Sequence, residues 1–131
     1  MKSRDGEGAV QRPLVAVVDD DESVRESLPD LLGELGFRSQ VFSSAEEFLG
    51  SETVQRAKCL VLDIAMPGMT GFDLQKELAV RGKDIPIVFI TGQKDEMVRK
   101  RALEAGAVGF LLKPFSDTAL LEALNRALET A

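Results

Sequence analysis

The chain reads as an α/β domain, a doubly wound sheet of five parallel strands packed with five helices. Two patterns carry that reading. Five short segments of strand character, Val15–Val18, Arg38–Phe42, Leu60–Leu62, Ile87–Ile90 and Val108–Leu112, alternate with segments of helical periodicity. The β-branched segments, Val15–Val18 and Ile87–Ile90 above all, are continuously apolar rather than alternating, which suits strands covered by helices on both faces. At 131 residues the chain has the length of one ordinary domain, expected over 14–130, preceded by a charged, Gly-bearing flexible tail over 1–13.

Each helix has its own signature. After Asp21, the residues Val24, Leu28, Leu31, Leu32 and Leu35 fall on one face, and Gly36 closes the segment. Pro29 interrupts that pattern at a cost of about 3 kcal/mol, so a kink or loosened turn is expected there. Ser43 with Glu46 has capping-box spacing before a short helix ending near Leu49. Gly71–Val80 is a third helix, with Phe72, Leu74 and Leu78 turned partly inward, and Lys94–Ala105 a fourth, stopped by Gly106. Ser116 or Asp117 caps the last helix, whose apolar face is Leu120, Leu121, Leu124 and Leu128. Pro86 opens a strand, where its missing donor does little harm.

Composition excludes several functions. The net charge of −6, from 22 acidic and 16 basic residues, argues against direct nucleic-acid binding. No apolar stretch is long enough to span a bilayer, and no secretion signal is visible. Cys59 is the single cysteine and sits in an apolar run, as an inert buried thiol in a reducing cytoplasm would. Histidine is absent, so the chain cannot supply a phosphohistidine, an imidazole base or an imidazole metal ligand.

The chemistry gathers at strand ends. Four of the five segments lead into Asp19-Asp20, Asp63, Thr91 and Lys113, while Arg38–Phe42 ends on Ser43, which looks unengaged. An open parallel sheet collects the carboxyl ends of its strands along one edge, where its ligands bind. Three carboxylates, a hydroxyl and an ammonium would converge there. A carboxylate such as Asp63, held by the rigid turn Ile64–Gly68, can attack phosphorus if the repelling charges are neutralised. Asp19 and Asp20 could hold a hard divalent cation through oxygen ligands, Thr91 could donate to one phosphoryl oxygen, and Lys113 could pair with another. Singly, each piece has a plain structural explanation. Their joint occurrence at strand ends, in order, is what argues for a site.

These residues resemble the receiver domain of bacterial two-component response regulators. The likeness covers Leu14 to Leu128 through Val-Val-Asp-Asp-Asp at 17–21, Asp-Ile-Ala-Met-Pro-Gly at 63–68, Thr-Gly at 91–92 and Leu-Lys-Pro-Phe at 112–115. It implies a flavodoxin-like sheet of order 2-1-3-4-5. It also implies that Asp63 accepts phosphate from a histidine kinase or phosphotransfer protein, with Mg²⁺ (or Mn²⁺) bound by Asp19, Asp20, Asp63 and the backbone carbonyl of Ala65. Thr91 and Phe110 match the switch pair, Lys113 the phosphate-pairing lysine, and Lys113-Pro114 a peptide bond that is usually cis in the family. Asp21 is read as the start of the first helix rather than as a ligand. Gln93 and Ala65 lie where a hydrolytic water must enter and would tune the lifetime of the phosphoryl group.

The resemblance further implies a signalling switch rather than a metabolic enzyme, cytoplasmic, with an output protein or fused effector domain and homodimerisation on phosphorylation. The output face would be the fourth helix, fifth strand and last helix, where Arg99, Lys100 and Arg101 form a basic row, either a solvated face or a docking patch. The chain could act alone or as the N-terminal receiver of a DNA-binding regulator. The alternative is a Mg²⁺-dependent phosphohydrolase with an aspartate nucleophile, but Ala65 stands where its proton donor would be. Flavin binding ranks last, since no Trp or Tyr is available to stack on the ring.

Overall fold

The computed structural model describes residues 12–130. Of the tail expected over 1–13, residues 1–11 lie outside the described residues. Arg12 and Pro13 lie inside them, their carbonyls accepting from Nε and the backbone N–H of Arg38 at 2.9 and 3.0 Å. The elements follow as β1 (Leu14–Val18), α1 (Glu22–Glu34), β2 (Arg38–Phe42), α2 (Ala45–Leu49), α3 (Thr53–Arg56) and β3 (Cys59–Asp63). After them come α4 (Gly71–Val80), β4 (Ile87–Thr91), α5 (Glu96–Glu104), β5 (Gly109–Leu112) and α6 (Asp117–Thr130). All five strands are parallel, in the order β2-β1-β3-β4-β5. That is the 2-1-3-4-5 sheet the resemblance implied.

Period-two alternation sorts the strand side chains into two cores. Val15, Val17, Cys59, Val61, Val88 and Ile90 pack against Leu28 and Leu32 of α1 and against Leu120 and Leu124 of α6. Ala16, Val18, Leu60, Leu62 and Phe89 face the other way, onto Phe48 of α2, Val54 of α3, Leu74 and Leu78 of α4 and Ala102 of α5. Both faces are covered, which is why β1, β3 and β4 are buried along their whole length. Burying one such Leu or Phe fully contributes about 1.5–3 kcal/mol. The Cys59 thiol is buried, and desolvation pushes its pKa up to about 12, so it is a packing group.

Several details differ from expectation. The described residues hold six helices, not five: α3 is a single extra turn, with Val54 buried and Thr53 Oγ1 donating to Gln40 Oε1 at 2.8 Å. Four residues are too few to show a helical period. The cap of α2 is Ser44 rather than Ser43, Ser44 having the extended backbone of a cap, with φ −150° and ψ 159°. Ser44 Oγ accepts from Glu47 N–H at 3.0 Å, and Glu47 reaches back to the Ser43 N–H at 2.7 Å. The expected helix over 94–105 is shorter, since Asp95 accepts from the N–H groups of Met97 and Val98 and so starts α5 at Glu96. The helix α1 continues through Pro29 to Glu34. Ser116 caps α6, accepting from Ala119 N–H at 3.0 Å.

Candidate functional site

Register brings the first two carboxylates together. Val18 pairs with Leu62 across β1 and β3, so Asp19 and Asp63 stand side by side one step further, at the carboxyl edge of the two central strands. Both continue the alternation that points toward the α1 and α6 side. Carboxylate oxygens of Asp19, Asp20 and Asp63 all lie within 4.8 Å of one another. Asp19 and Asp63 are buried, whereas Asp20 is exposed.

Lys113, one residue past β5, reaches into this cluster. Its backbone N–H donates to the Thr91 carbonyl at 2.8 Å, which fixes its height on the sheet. Its ammonium lies 2.8 Å from Asp19 Oδ2 and 3.8 Å from Asp63 Oδ1. Removal from water works against the ammonium, but the hydrogen bond and charge of Asp19, with Asp63, outweigh it and raise the Lys113 pKa. Asp63 responds oppositely. Burial first, then the charges of Asp19 and Asp20, push its pKa up to about 7, although Lys113 pulls it down. One lysine does not balance three carboxylates.

A bound cation would offset that imbalance. The donors are oxygens only, three carboxylates without nitrogen or sulfur, which is the set hard divalent ions of the Mg²⁺ or Mn²⁺ class prefer. Asp19 Oδ2 is buried, its near neighbour being the Lys113 ammonium at 2.8 Å. The residues present therefore fit such an ion.

The loop from Asp63 to α4 is held at both ends. Met66 is buried, and Gly68 adopts φ +74°, a left-handed turn that favours glycine. Gly71 N–H donates to the Ile64 carbonyl at 3.0 Å, and α4 begins so close to β3 that a Cβ on Gly71 would lie 2.5 Å from the Asp63 carbonyl oxygen. Thr70 and Asp73 form a reciprocal capping box there. Ala65 is exposed in the middle of the loop, two residues after Asp63.

Thr91 is buried at the end of β4, its Oγ1 accepting from the Gln93 N–H at 3.2 Å, while Gln93 itself is exposed. Phe89 pairs with Phe110 across β4 and β5, so Thr91 and Phe110 lie on the same sheet face, the one that α5 covers. Phe110 is half-buried beside a groove of about 310 Å³ lined also by Arg99, Leu112 and Phe115. Lys113-Pro114 is cis. Asp21 is the N-cap of α1, and its bonds from Ser23 hold its carboxyl below the usual range. Ser43 bonds only locally to Glu47.

Two contacts escape sequence reading. Arg25 Nη1 donates to the Asp19 backbone carbonyl at 3.0 Å, and Glu46 Oε2 accepts from Met69 N–H at 3.3 Å, tying α2 to the loop after Asp63. The first had a usable signal: helical side chains lean toward the N-terminus, so an arginine one turn after a cap covers the residues before it. The second depends on α2 and the loop meeting in space, which no local pattern reports.

Comparison with known proteins agrees with this geometry. The model of the response regulator receiver domain family matches residues 15–125. The response regulator protein TmoT of Ectopseudomonas mendocina is 42% identical over 121 residues, covering 92% of this chain and 55% of that protein. The transcriptional regulatory protein FixJ of Rhizobium meliloti is 43% identical over 115 residues, covering 88% of this chain and 56% of the relative. A crystal structure titled FixJ-N superimposes with a TM-score of 0.83 at 40% identity, covering 93% of this chain and 98% of that one. The chain thus spans about half the length of the full-length relatives it matches. On this match, and on a parallel 2-1-3-4-5 sheet with an acidic cluster at its carboxyl edge, the chain belongs to the receiver domains of response regulators, the phosphoryl-signalling switch modules of two-component systems.

Proposed function

We propose that Asp63 is the phosphoacceptor of this receiver, taking a phosphoryl group from a histidine kinase or phosphotransfer protein. One observation carries the reading: Asp19, Asp20 and Asp63 share a cluster whose nearest cation is the ammonium of Lys113. An Asp63 carboxylate oxygen attacks the phosphorus of a phosphohistidine, the new O–P bond forms as the P–N bond breaks, and the imidazole leaves with a proton from solvent. Asp19, Asp20, Asp63 and the Ala65 carbonyl would hold Mg²⁺ or Mn²⁺, which when bound would supply the positive charge that offsets the crowded oxygens. Lys113 orients and pairs with one phosphoryl oxygen, and Thr91 donates its hydroxyl proton to another. Hydrolysis later returns Asp63 to its free state. Ala65, exposed beside the nucleophile, offers no proton for turning over other phosphoesters.

The new charge biases a two-state equilibrium. Thr91 moves toward the phosphoryl group, and Phe110 turns into the space it leaves, altering the face made by α5, β5 and α6. Moving from mostly inactive to mostly active needs about 5.5 kcal/mol of differential stabilisation, which an ion pair and a hydroxyl bond can supply together with the charge a bound cation would bring. The likeness to a protein named a transcriptional regulatory protein supports an output through an effector domain; dimerisation on phosphorylation and a cytoplasmic setting belong to the same proposal. Among the described residues no helix is long and apolar enough to cross a membrane.

Phosphoramidate, a small P–N donor, tests the chemistry. With Mg²⁺ it should add one hydroxylamine-labile phosphoryl group per chain, and chelation should prevent this. A hydroxylamine-resistant product, or uptake unaffected by chelator, would contradict the assignment.

A further inference from the structure

Asp19 is fixed from several sides. Its N–H donates to the Phe42 carbonyl at 3.1 Å, its Oδ1 accepts from the Asp21 N–H at 2.9 Å, and its Oδ2 faces the Lys113 ammonium at 2.8 Å. The remaining polar atom is the backbone carbonyl, and it lies beyond the reach of the ladder. Strand β1 pairs with β2 and β3 only up to Val18, so the peptide joining Asp19 to Asp20 has no strand partner to orient it. Arg25 Nη1 fills that role at 3.0 Å from the second turn of α1. The guanidinium is half-buried, and among the described residues it makes no ion pair within 4.0 Å.

We infer that Arg25 is a positioning residue for the cation site, acting through the Asp19–Asp20 peptide. A peptide unit is planar, so fixing the direction of the Asp19 carbonyl also fixes the amide of Asp20 and the point from which its side chain departs. Asp20 is the exposed carboxylate of the cluster and is not wedged by packing as Asp19 and Asp63 are. Its aim therefore depends on the backbone before it. Arginine suits the task, because the helical lean carries its long side chain back over the α1 N-terminus and its charge strengthens a bond to a carbonyl.

This inference rests on the reading of Asp19, Asp20 and Asp63 as a divalent-cation site, and the experiment separates the two. Binding of Mn²⁺, followed by electron paramagnetic resonance of the free ion, is measured on the wild type, Arg25→Met, Arg25→Lys and Asp19→Asn. Outer partners of metal ligands typically contribute about 10–100-fold in affinity. Arg25→Met should weaken Mn²⁺ binding at least about tenfold, and Arg25→Lys, with a charged donor of similar reach, should recover most of it. Circular dichroism and urea unfolding without metal report whether each variant is folded. If Arg25→Met is too unstable to assay, Arg25→Gln replaces it: a folded variant that binds Mn²⁺ at least about tenfold more weakly supports the role, and a folded variant with wild-type affinity overturns it. Unchanged binding in folded Arg25→Met, with Asp19→Asn impaired, overturns the role of Arg25 alone. Tighter binding in Arg25→Met overturns it too, marking the guanidinium as a repelling charge. Wild type that takes up no Mn²⁺, or Asp19→Asn that binds as wild type does, overturns the cation site itself and the inference with it.

Discussion

Replacing Lys113 with methionine keeps the aliphatic stem and removes the one ammonium that faces the carboxylate cluster. The consequence follows from geometry. Asp19 is fully buried, its Oδ2 lies 2.8 Å from Lys113 Nζ, and the lysine side chain is only 21% exposed. Breaking a fully buried pair costs about 3–5 kcal/mol, against about 0–1 kcal/mol for an exposed one. Partial exposure of the lysine sets this pair between those limits, at about 2–3 kcal/mol. With a urea slope of about 1.5 kcal/mol per molar, the Lys113→Met midpoint should fall by roughly 1.5 M in chelator at pH 7. The deficit should shrink as pH falls below about 7, where Asp63 protonates, and also on adding Mg²⁺, which would supply the missing charge. Equal midpoints for wild type and Lys113→Met in chelator at pH 7 would refute the claim that this ammonium compensates the buried carboxylate.

Three further outcomes follow from the same geometry. Asp63 carries a pKa pushed up to about 7 in the fold, so its protonated form is the one folding favours; without divalent cations, stability should decline as pH rises from about 4 through 7, and Mg²⁺ should flatten that decline in urea titrations at fixed pH. Gly71→Ala adds a Cβ only 2.5 Å from the Asp63 carbonyl oxygen, forcing α4 and the acceptor loop apart; thermal unfolding should show a loss of about 1–3 kcal/mol, and phosphoryl uptake from acetyl phosphate should slow. Thr91→Ala should still take up a phosphoryl group, but phosphorylation should no longer change amide hydrogen exchange across α5 and β5; an unaltered exchange response would remove Thr91 from the coupling route.

Most of the site was legible because it sits where strand periodicity ends. A run such as Val15–Val18 or Cys59–Leu62 announces both a buried strand and the polar residue that must emerge at its edge, so Asp19 and Asp63 could be named before their distance was known. Lys113 and Thr91 were legible in the same way. The details that escaped depend on contacts between elements or on stretches too short to carry a period. The single turn of α3 is stabilised by burial of Val54 and a bond to Gln40 on a neighbouring strand, not by its own pattern. Ser44 rather than Ser43 caps α2 because Glu47, not Glu46, closes the cap, its N–H donating to Ser44 Oγ while its carboxylate accepts from the Ser43 N–H. Arg25 and Glu46 act on backbone atoms of other segments, and a backbone carbonyl left without a partner is invisible until the sheet register is known.

The central claim is that folding makes Asp63 a nucleophile toward phosphorus inside a cluster completed by Asp19, Asp20, Thr91 and Lys113. Intact-mass spectrometry after incubation with acetyl phosphate and Mg²⁺ tests it most directly, comparing wild type with Asp63→Asn. One added phosphoryl group on the wild type and none on Asp63→Asn is the predicted result; equal labelling of both, or none on a folded wild type, would contradict it.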